Sequence, residues 1–348
     1  MPARAPSQRP APPAGYRVVA CVGETMAVLA PTPPGPLETA ELLALDVGGA
    51  ESNVAQYLAG HGITARWVSR VGDDPFGRMI RRRVAAGGVD VSAVEVDPER
   101  PTGVYFKHRE PAGNAVHYYR RGSAASAMTA AVLDGPAVGT ADAVHLSGIT
   151  PALSPSCHEL VATALRPGPR RRPLVSFDLN WRPALWRGID GATLLRELAS
   201  QADIVFVGQD EVAAVWGCPD PHAVRALLPE PAVLVIKDAE RGATAFRDAE
   251  VVTVPALAVE VVDVVGAGDA FAAGFLAGLF AGHDLVGQLR LGHVTAAAAL
   301  RATADHGPLL DPSTVDHLLA ADDEAWAAAI IGGRDSVAGG ALATSDPE

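Results

Sequence analysis

Short apolar runs rich in β-branched residues alternate along the chain with Ala- and Leu-rich stretches. The pattern predicts strands over 16–22 and 66–71. It predicts helices over 53–60 and 76–86, the first ended by Gly60 and the second by Gly87-Gly88. The runs 143–146, 174–177, 204–207 and 232–236 are short and almost wholly apolar, the pattern of strands buried on both faces. Such alternation implies βαβ units, hence a parallel sheet with helices on both sides. Ligands of such sheets sit beyond the carboxyl ends of the strands.

Two segments interrupt the alternation. Residues 24–47 carry the Pro-rich stretch APTPPGP between two strand-like pieces. Residues 102–120 read as a hairpin, with Val104-Tyr105-Phe106, a turn at 111–114, and Val116-His117-Tyr118-Tyr119. Strands without following helices suggest a small second sheet, and a cover over a ligand site is the expectation for it. Residues 1–15, rich in Pro and Ala, are expected to be a disordered leader. Residues 332–348 are expected to be a flexible tail, leaving a body of 16–331.

Charge narrows the functional classes. The 348 residues carry a net charge of −12, which argues against a nucleic-acid binder. The basic runs Arg81-Arg82-Arg83 and Arg170-Arg171-Arg172 read as solvated surface. Three scattered cysteines, Cys21, Cys157 and Cys218, form no C-x-x-C pair, which excludes a disulfide framework and a thiolate zinc site. No apolar run approaches the roughly 20 residues that span a bilayer. A cytoplasmic protein without a membrane partner is the expectation.

The segment Val261-Val-Asp-Val-Val-Gly-Ala-Gly-Asp-Ala-Phe271 holds the most chemistry. A hydrophobic lead-in meets Gly266-Ala267-Gly268-Asp269, and a small-residue helix follows. Glycines at a helix start let backbone N–H groups converge, and the helix dipole adds positive potential, which makes an anion hole. Asp269 at its mouth is either a helix cap or a base that takes a proton from a hydroxyl. The third glycine of a dinucleotide fingerprint would fall at Phe271, and no G-x-x-x-x-G-K-[S/T] loop occurs. A second segment, Gly48-Gly49-Ala50-Glu51-Ser52-Asn53-Val54-Ala55, offers close backbone approach and an amide, Asn53, able to bind hydroxyls.

Together GGAESNVA and DVVGAGDAF resemble the two signatures of the ribokinase-like (pfkB) carbohydrate kinases, with VGDDPFGR and GVD adding to the likeness. PTGVYF, YYRRGSAAS, HLSGITPALS, FDLNWRPALW and TADHGP are similar to the 2-keto-3-deoxygluconate kinase branch. The resemblance implies a Rossmann-like three-layer α/β/α sandwich with a β-sheet lid, formed here by about 24–47 and 102–120. It implies ATP and Mg²⁺ as cofactors and a homo-oligomer joined through the lid. It places Gly48, Gly49, Asn53, Tyr105, Tyr118, Arg120 and Asp305 on the sugar acid. Asn180, Arg182, Lys237, Gly242, Gly266, Gly268 and His293 fall to the nucleotide side. Gly266, Ala267 and Gly268 become the anion hole, Asp269 the base, and Glu211 an indirect metal partner.

A sugar acid needs fixed cations, and the chain has only two lysines, Lys107 and Lys237, so arginines must supply most of them. Arg120 and Arg182 are the candidates, since arginine's fork suits carboxylates and phosphates. Two positions depart from the family pattern: Ala239 stands where a glycine is usual, and Gly208 where an asparagine is. From the residues alone, His145 reads as a core residue, and His283, His293 and His317 lack ligand spacing. Trp181 and Trp186 read as packing. The expected activity is phosphorylation of the terminal hydroxyl of 2-keto-3-deoxygluconate. Another sugar kinase (for 2-keto-3-deoxygalactonate, fructose or ribose) and a non-catalytic sugar-acid sensor stand as alternatives.

Overall fold

The computed structural model describes residues 18–110, 113–166, 173–302 and 306–332. The expected leader, most of the expected tail and the second arginine run lie outside the described residues. In chain order the first elements are β1 (Val18–Val22), β2 (Met26–Pro31), β3 (Leu43–Gly48), α1 (Ala50–Gly60), β4 (Thr64–Gly72), α2 (Pro75–Ala86) and β5 (Val94–Asp97). The hairpin β6 (Val104–Glu110) and β7 (Gly113–Tyr119) follows, then α3 (Pro136–Gly139), β8 (Ala143–Ser147) and α4 (Pro155–Leu165). Next come β9 (Leu174–Asp178), α5 (Gly191–Ala199), β10 (Ile204–Gly208), α6 (Gln209–Trp216), α7 (Pro221–Leu227) and β11 (Val233–Lys237). The chain continues through β12 (Ala243–Arg247), β13 (Glu250–Val254), β14 (Ala258–Val259), α8 (Ala267–Ala281) and α9 (Leu285–Leu300). It closes with α10 (Pro312–Ala320), α11 (Asp323–Ala328) and β15 (Ile330–Ile331).

Nine strands form the main sheet in the order β13-β12-β11-β10-β9-β8-β1-β4-β5. The seven strands from β11 to β5 pair in parallel, and β12 and β13 extend one edge antiparallel. The order reverses beside β1, whose neighbours are β4 on one side and β8 on the other. Both faces are buried, as the uniformly apolar runs require. On β1, Val19 and Cys21 join one core cluster with α1, α8 and α9, while Ala20 and Val22 join the other with α4 and α5. Helix α8 has no polar face over most of its length, because its residues from Ala270 to Leu279 are all buried.

Local chemistry sets the helix starts. Asp74 accepts from Gly77 N at 2.8 Å ahead of Pro75, and Ser154 accepts from Cys157 N at 3.1 Å ahead of Pro155. The two interruptions meet as a separate four-stranded sheet, β3-β2-β6-β7, with β2 and β6 parallel. The small second sheet expected from the two interruptions is thus present, and it is called the lid. Its hairpin pairs Tyr105 with Tyr118 and Phe106 with His117. No helix among the described residues is long and apolar enough to cross a membrane.

Candidate active site

The carboxyl ends of β9, β10 and β11 meet the first turns of α1 and α8 around Asp269. Asn53, in the first turn of α1, donates to Asp269 Oδ2 at 2.9 Å, and Asn180, just after β9, donates to Oδ1 at 3.4 Å. Asp178 ends β9 and Lys237 ends β11; Lys237 Nζ lies 2.6 Å from Asp178 Oδ2. Asp269 is the third residue of α8 and not its cap. Gly266 holds the cap position with φ 80°, a left-handed conformation that glycine adopts without strain. A helical first turn leaves its amides without intrahelical acceptors, so those of Gly268 and Asp269 head the helix toward the site. The Ala267 N–H is aimed weakly at Val264 O, 3.4 Å away. A Cβ on Gly268 would lie 3.3 Å from Lys237 Nζ, so glycine lets the ammonium sit against the helix start.

Burial raises the Asp269 carboxyl to a pKa of about 7. The Asn53 hydrogen bond opposes the shift, the Asp178 charge adds to it, and Lys237 and Arg182 oppose it. A carboxyl poised near neutrality is suited to accept a proton from a hydroxyl. Burial works against the Lys237 charge, but Asp178, Glu211 and Asp269 outweigh it and raise its pKa above the ordinary value. Burial and Asp178 likewise raise Glu211. Its two oxygens accept backbone N–H groups, Oε1 from Trp181 at 3.0 Å and Oε2 from Gly208 at 2.9 Å. Arg182 stands beside it, with Nη1 3.8 Å from Glu211 Oε1.

A second group lies on and beside the small sheet. Tyr105 is buried on β6 and Tyr118 half-exposed on β7, their rings 5.5 Å apart, and the Arg120 guanidinium stands 5.5 Å from the Tyr118 ring. Gly48 ends β3 and Gly49 caps α1. A Cβ at Gly49 would fall 2.5 Å from Glu24 O, so this turn is closed to any side chain.

Arg120 is paired within the protein. Its Nε donates to Glu24 Oε2 at 2.7 Å, Nη2 pairs with the same oxygen, and Ser123 Oγ donates to Glu24 Oε1 at 2.5 Å. The guanidinium is 9% exposed, and a charge so desolvated needs a partner. Glu24, Ser123 and Asp178 thus join the candidate site, though they received no role from the sequence. Asp178 stood in the motif FDLN, whereas Glu24 and Arg120 are 96 residues apart and nothing local signals their pairing. Glu51 also went unassigned. It is buried against Ser147 and Thr150, which donate at 2.8 and 2.9 Å, and burial raises its pKa.

The remaining expected residues are scattered. Gly242 directly precedes β12 with φ 129°, where a Cβ would meet Val254 O at 2.3 Å. His293 is not brought to the Asp269 group. It is buried on α9, 3.2 Å from Val254 O and edge-on to Phe271. Asp305 lies outside the described residues. His145 is a core residue as expected, 2.8 Å from Ser176 Oγ, and Trp181 and Trp186 stack on each other 6.1 Å apart. No cluster of three or more metal-ligating side chains occurs among the described residues.

The pfkB carbohydrate kinase pattern matches residues 17–310. The chain is 36% identical over 307 residues to a 2-dehydro-3-deoxygluconokinase of Thermoproteus tenax, covering 86% of this chain and 93% of that one. It is 32% identical over 309 residues to a 2-dehydro-3-deoxygalactonokinase of Haloferax volcanii, covering 86% and 96%. An uncharacterized sugar kinase from Pyrococcus horikoshii, solved in complex with ATP, superposes with a TM-score of 0.74 at 26% identity, covering 84% of this chain and 95% of that one. The two glycine-rich signatures, 216 residues apart at Asn53 and Asp269, close on one carboxylate, and the likeness extends over nearly the whole described body. The chain belongs to the pfkB family of carbohydrate kinases.

Proposed function

We propose that the chain is an ATP-dependent kinase that phosphorylates the terminal hydroxyl of 2-keto-3-deoxygluconate. The observation that carries the reading is Asp269, held by Asn53 at the head of α8 with its pKa raised to about 7. In this reading Asp269 takes the hydroxyl proton as the oxygen attacks the γ-phosphorus in line. The amides at the start of α8, with Lys237 and Arg182, stabilise the charge that spreads over the transferring phosphoryl group. The relatives from Thermoproteus and Haloferax support a keto-deoxy sugar acid, and the Pyrococcus complex supports ATP.

Tyr105 and Tyr118 on the lid and Arg120 after it, with the Gly48-Gly49 turn and Asn53, are the proposed sugar-acid contacts. A guanidinium has five donors, so the Glu24 pair still allows Arg120 to hold a substrate carboxylate. The donor set also bears on magnesium. Both Glu211 oxygens are taken by backbone amides and Asp178 is paired with Lys237, so the residues suit a cation held mainly by nucleotide oxygens and water. Such an ion would neutralise phosphate charge, with Glu211 acting only through water. Gly242 and His293 belong to the nucleotide side in this proposal. A homodimer through the lid is part of it too: Leu42, Leu43, Leu45 and Tyr119 are exposed on that sheet and its connection. Three free, buried cysteines accord with a cytoplasmic location.

The test is ADP release with ATP and Mg²⁺ over 2-keto-3-deoxygluconate, 2-keto-3-deoxygalactonate, gluconate, fructose and ribose. Preference for the keto-deoxy acids is expected. Activity confined to a neutral sugar would overturn the acid assignment, and preference for the galactonate would favour the Haloferax-like alternative.

A further inference from the structure

Lys107 lies on β6 of the lid, and its ammonium reaches out of the lid sheet. Its Nζ stands 2.5 Å from Oδ2 of Asp263, and the two side chains are only 14% and 16% exposed. Asp263 belongs to the loop between β14 and α8. Its second oxygen, Oδ1, accepts from Val265 N at 3.2 Å. Its own N–H and that of Val262 donate to Leu300 O at 3.3 and 2.8 Å, which ties the loop to the end of α9. Val265 directly precedes Gly266, the cap of α8. One carboxylate therefore has one oxygen on the lid and the other on the backbone that aims the anion hole.

We propose that Lys107 is a positioning residue: through Asp263 it couples the seating of the lid to the geometry of the Gly266–Gly268 anion hole. The inference rests on the kinase reading above. The choice of lysine supports it, since 26 of the 28 basic side chains are arginines. An arginine fork tends to take both oxygens of a carboxylate, whereas an ammonium is a point charge that can engage one. Lysine thus leaves Oδ1 for Val265. Lifting the lid would pull away the charge partner of Asp263, and the loop before α8 would lose one of its restraints. The hole would then be complete only with the lid seated, when water is excluded from the phosphoryl group.

Lys107→Met keeps the unbranched stem of the side chain and removes its ammonium. Relative to the unaltered protein it is expected to lower kcat about tenfold at an unchanged KM for ATP, by misplacing the hole. It should also raise the ratio of ADP released to sugar phosphate formed, because water gains access. Hydrogen exchange should quicken both in β6–β7 and in residues 262–268, without any substrate present. Asp263→Asn, which removes the charge but keeps an oxygen for Val265, should produce the same kcat and leakage changes and serves if Lys107→Met does not fold. Wild-type kcat and leakage in the variants, or unchanged exchange over 262–268 in Lys107→Met, would overturn the coupling. Absence of sugar-acid phosphorylation by the unaltered protein would instead overturn the kinase reading, and the exchange comparison would still decide whether the lid and the loop are coupled.

Discussion

At the scale of single residues, the proposed base Asp269 should set the pH behaviour of the kinase. With a pKa of about 7, kcat/KM should rise with pH through that value and level off above it, which a pH–rate profile checks. Asp269→Asn should lower kcat by about 10² or more while leaving ATP affinity similar. The same variant should be more stable. The native carboxyl holds its proton up to about pH 7, whereas its ordinary value is 3.8, so between these values the native state binds more protons than the unfolded chain. Stability then falls as pH rises across that window. Asp269→Asn should therefore gain about 1–3 kcal/mol over the unaltered protein at pH 8 and little at pH 4, read by denaturant unfolding.

Ala239 is a second residue with a cost. It stands at φ 45°, which explains why a glycine is usual there, and Ala239→Gly should stabilise by about 0.5–1 kcal/mol after the entropy of the unfolded glycine is discounted. Asp269 and Asn53 were legible in the sequence because their glycines and helix starts are local. The Glu24–Arg120 pair was not, because a guanidinium looks the same in sequence whether its partner is a ligand or a distant glutamate.

Among the elements, the uniformly apolar runs gave the clearest signal. The expectations over 143–146, 174–177, 204–207 and 232–236 correspond to β8, β9, β10 and β11, each within a residue or so, because a strand covered on both faces leaves no room for polar side chains. The β12–β13 hairpin, at the sheet edge, was not foreseen. Its strands mix Thr, Arg and Glu with apolar residues, and its turn uses Asp248 at φ 51° in place of an Asn-Gly signal. Helices α8 and α9 show the opposite economy. Their contact is so close that a Cβ on Gly274 would fall 2.3 Å from Leu291 O. Gly274→Ala should force the two helices apart and cost about 1–3 kcal/mol, read as a lower denaturation midpoint, despite alanine's better helix propensity.

For the whole molecule, the sheet's order reverses beside β1, while the candidate site gathers at the carboxyl ends of β9, β10 and β11 against the first turns of α1 and α8. The lid's exposed side chains carry the dimer proposal. Tyr119 is 69% exposed and Leu42 67%. Sedimentation should show a dimer at micromolar concentration, and Leu42→Asp with Tyr119→Asp should shift it to monomer; a monomeric unaltered chain would remove the proposal. The fold class and the existence of a second, small sheet could be read from alternation and its interruptions. The way the lid communicates with the floor could not, because it depends on Lys107 and Asp263, 156 residues apart.

Most proteins scatter their lysines over the surface, where acylation matters little. Here both side-chain amines are already engaged with aspartates, Lys107 with Asp263 and Lys237 with Asp178. Lys237 is further kept protonated, and so a poor nucleophile, by the carboxylates around it. Amine-directed labelling or immobilisation through lysine has no neutral place to attach on this chain: every side-chain amide it forms removes a charge from the site or from its cover.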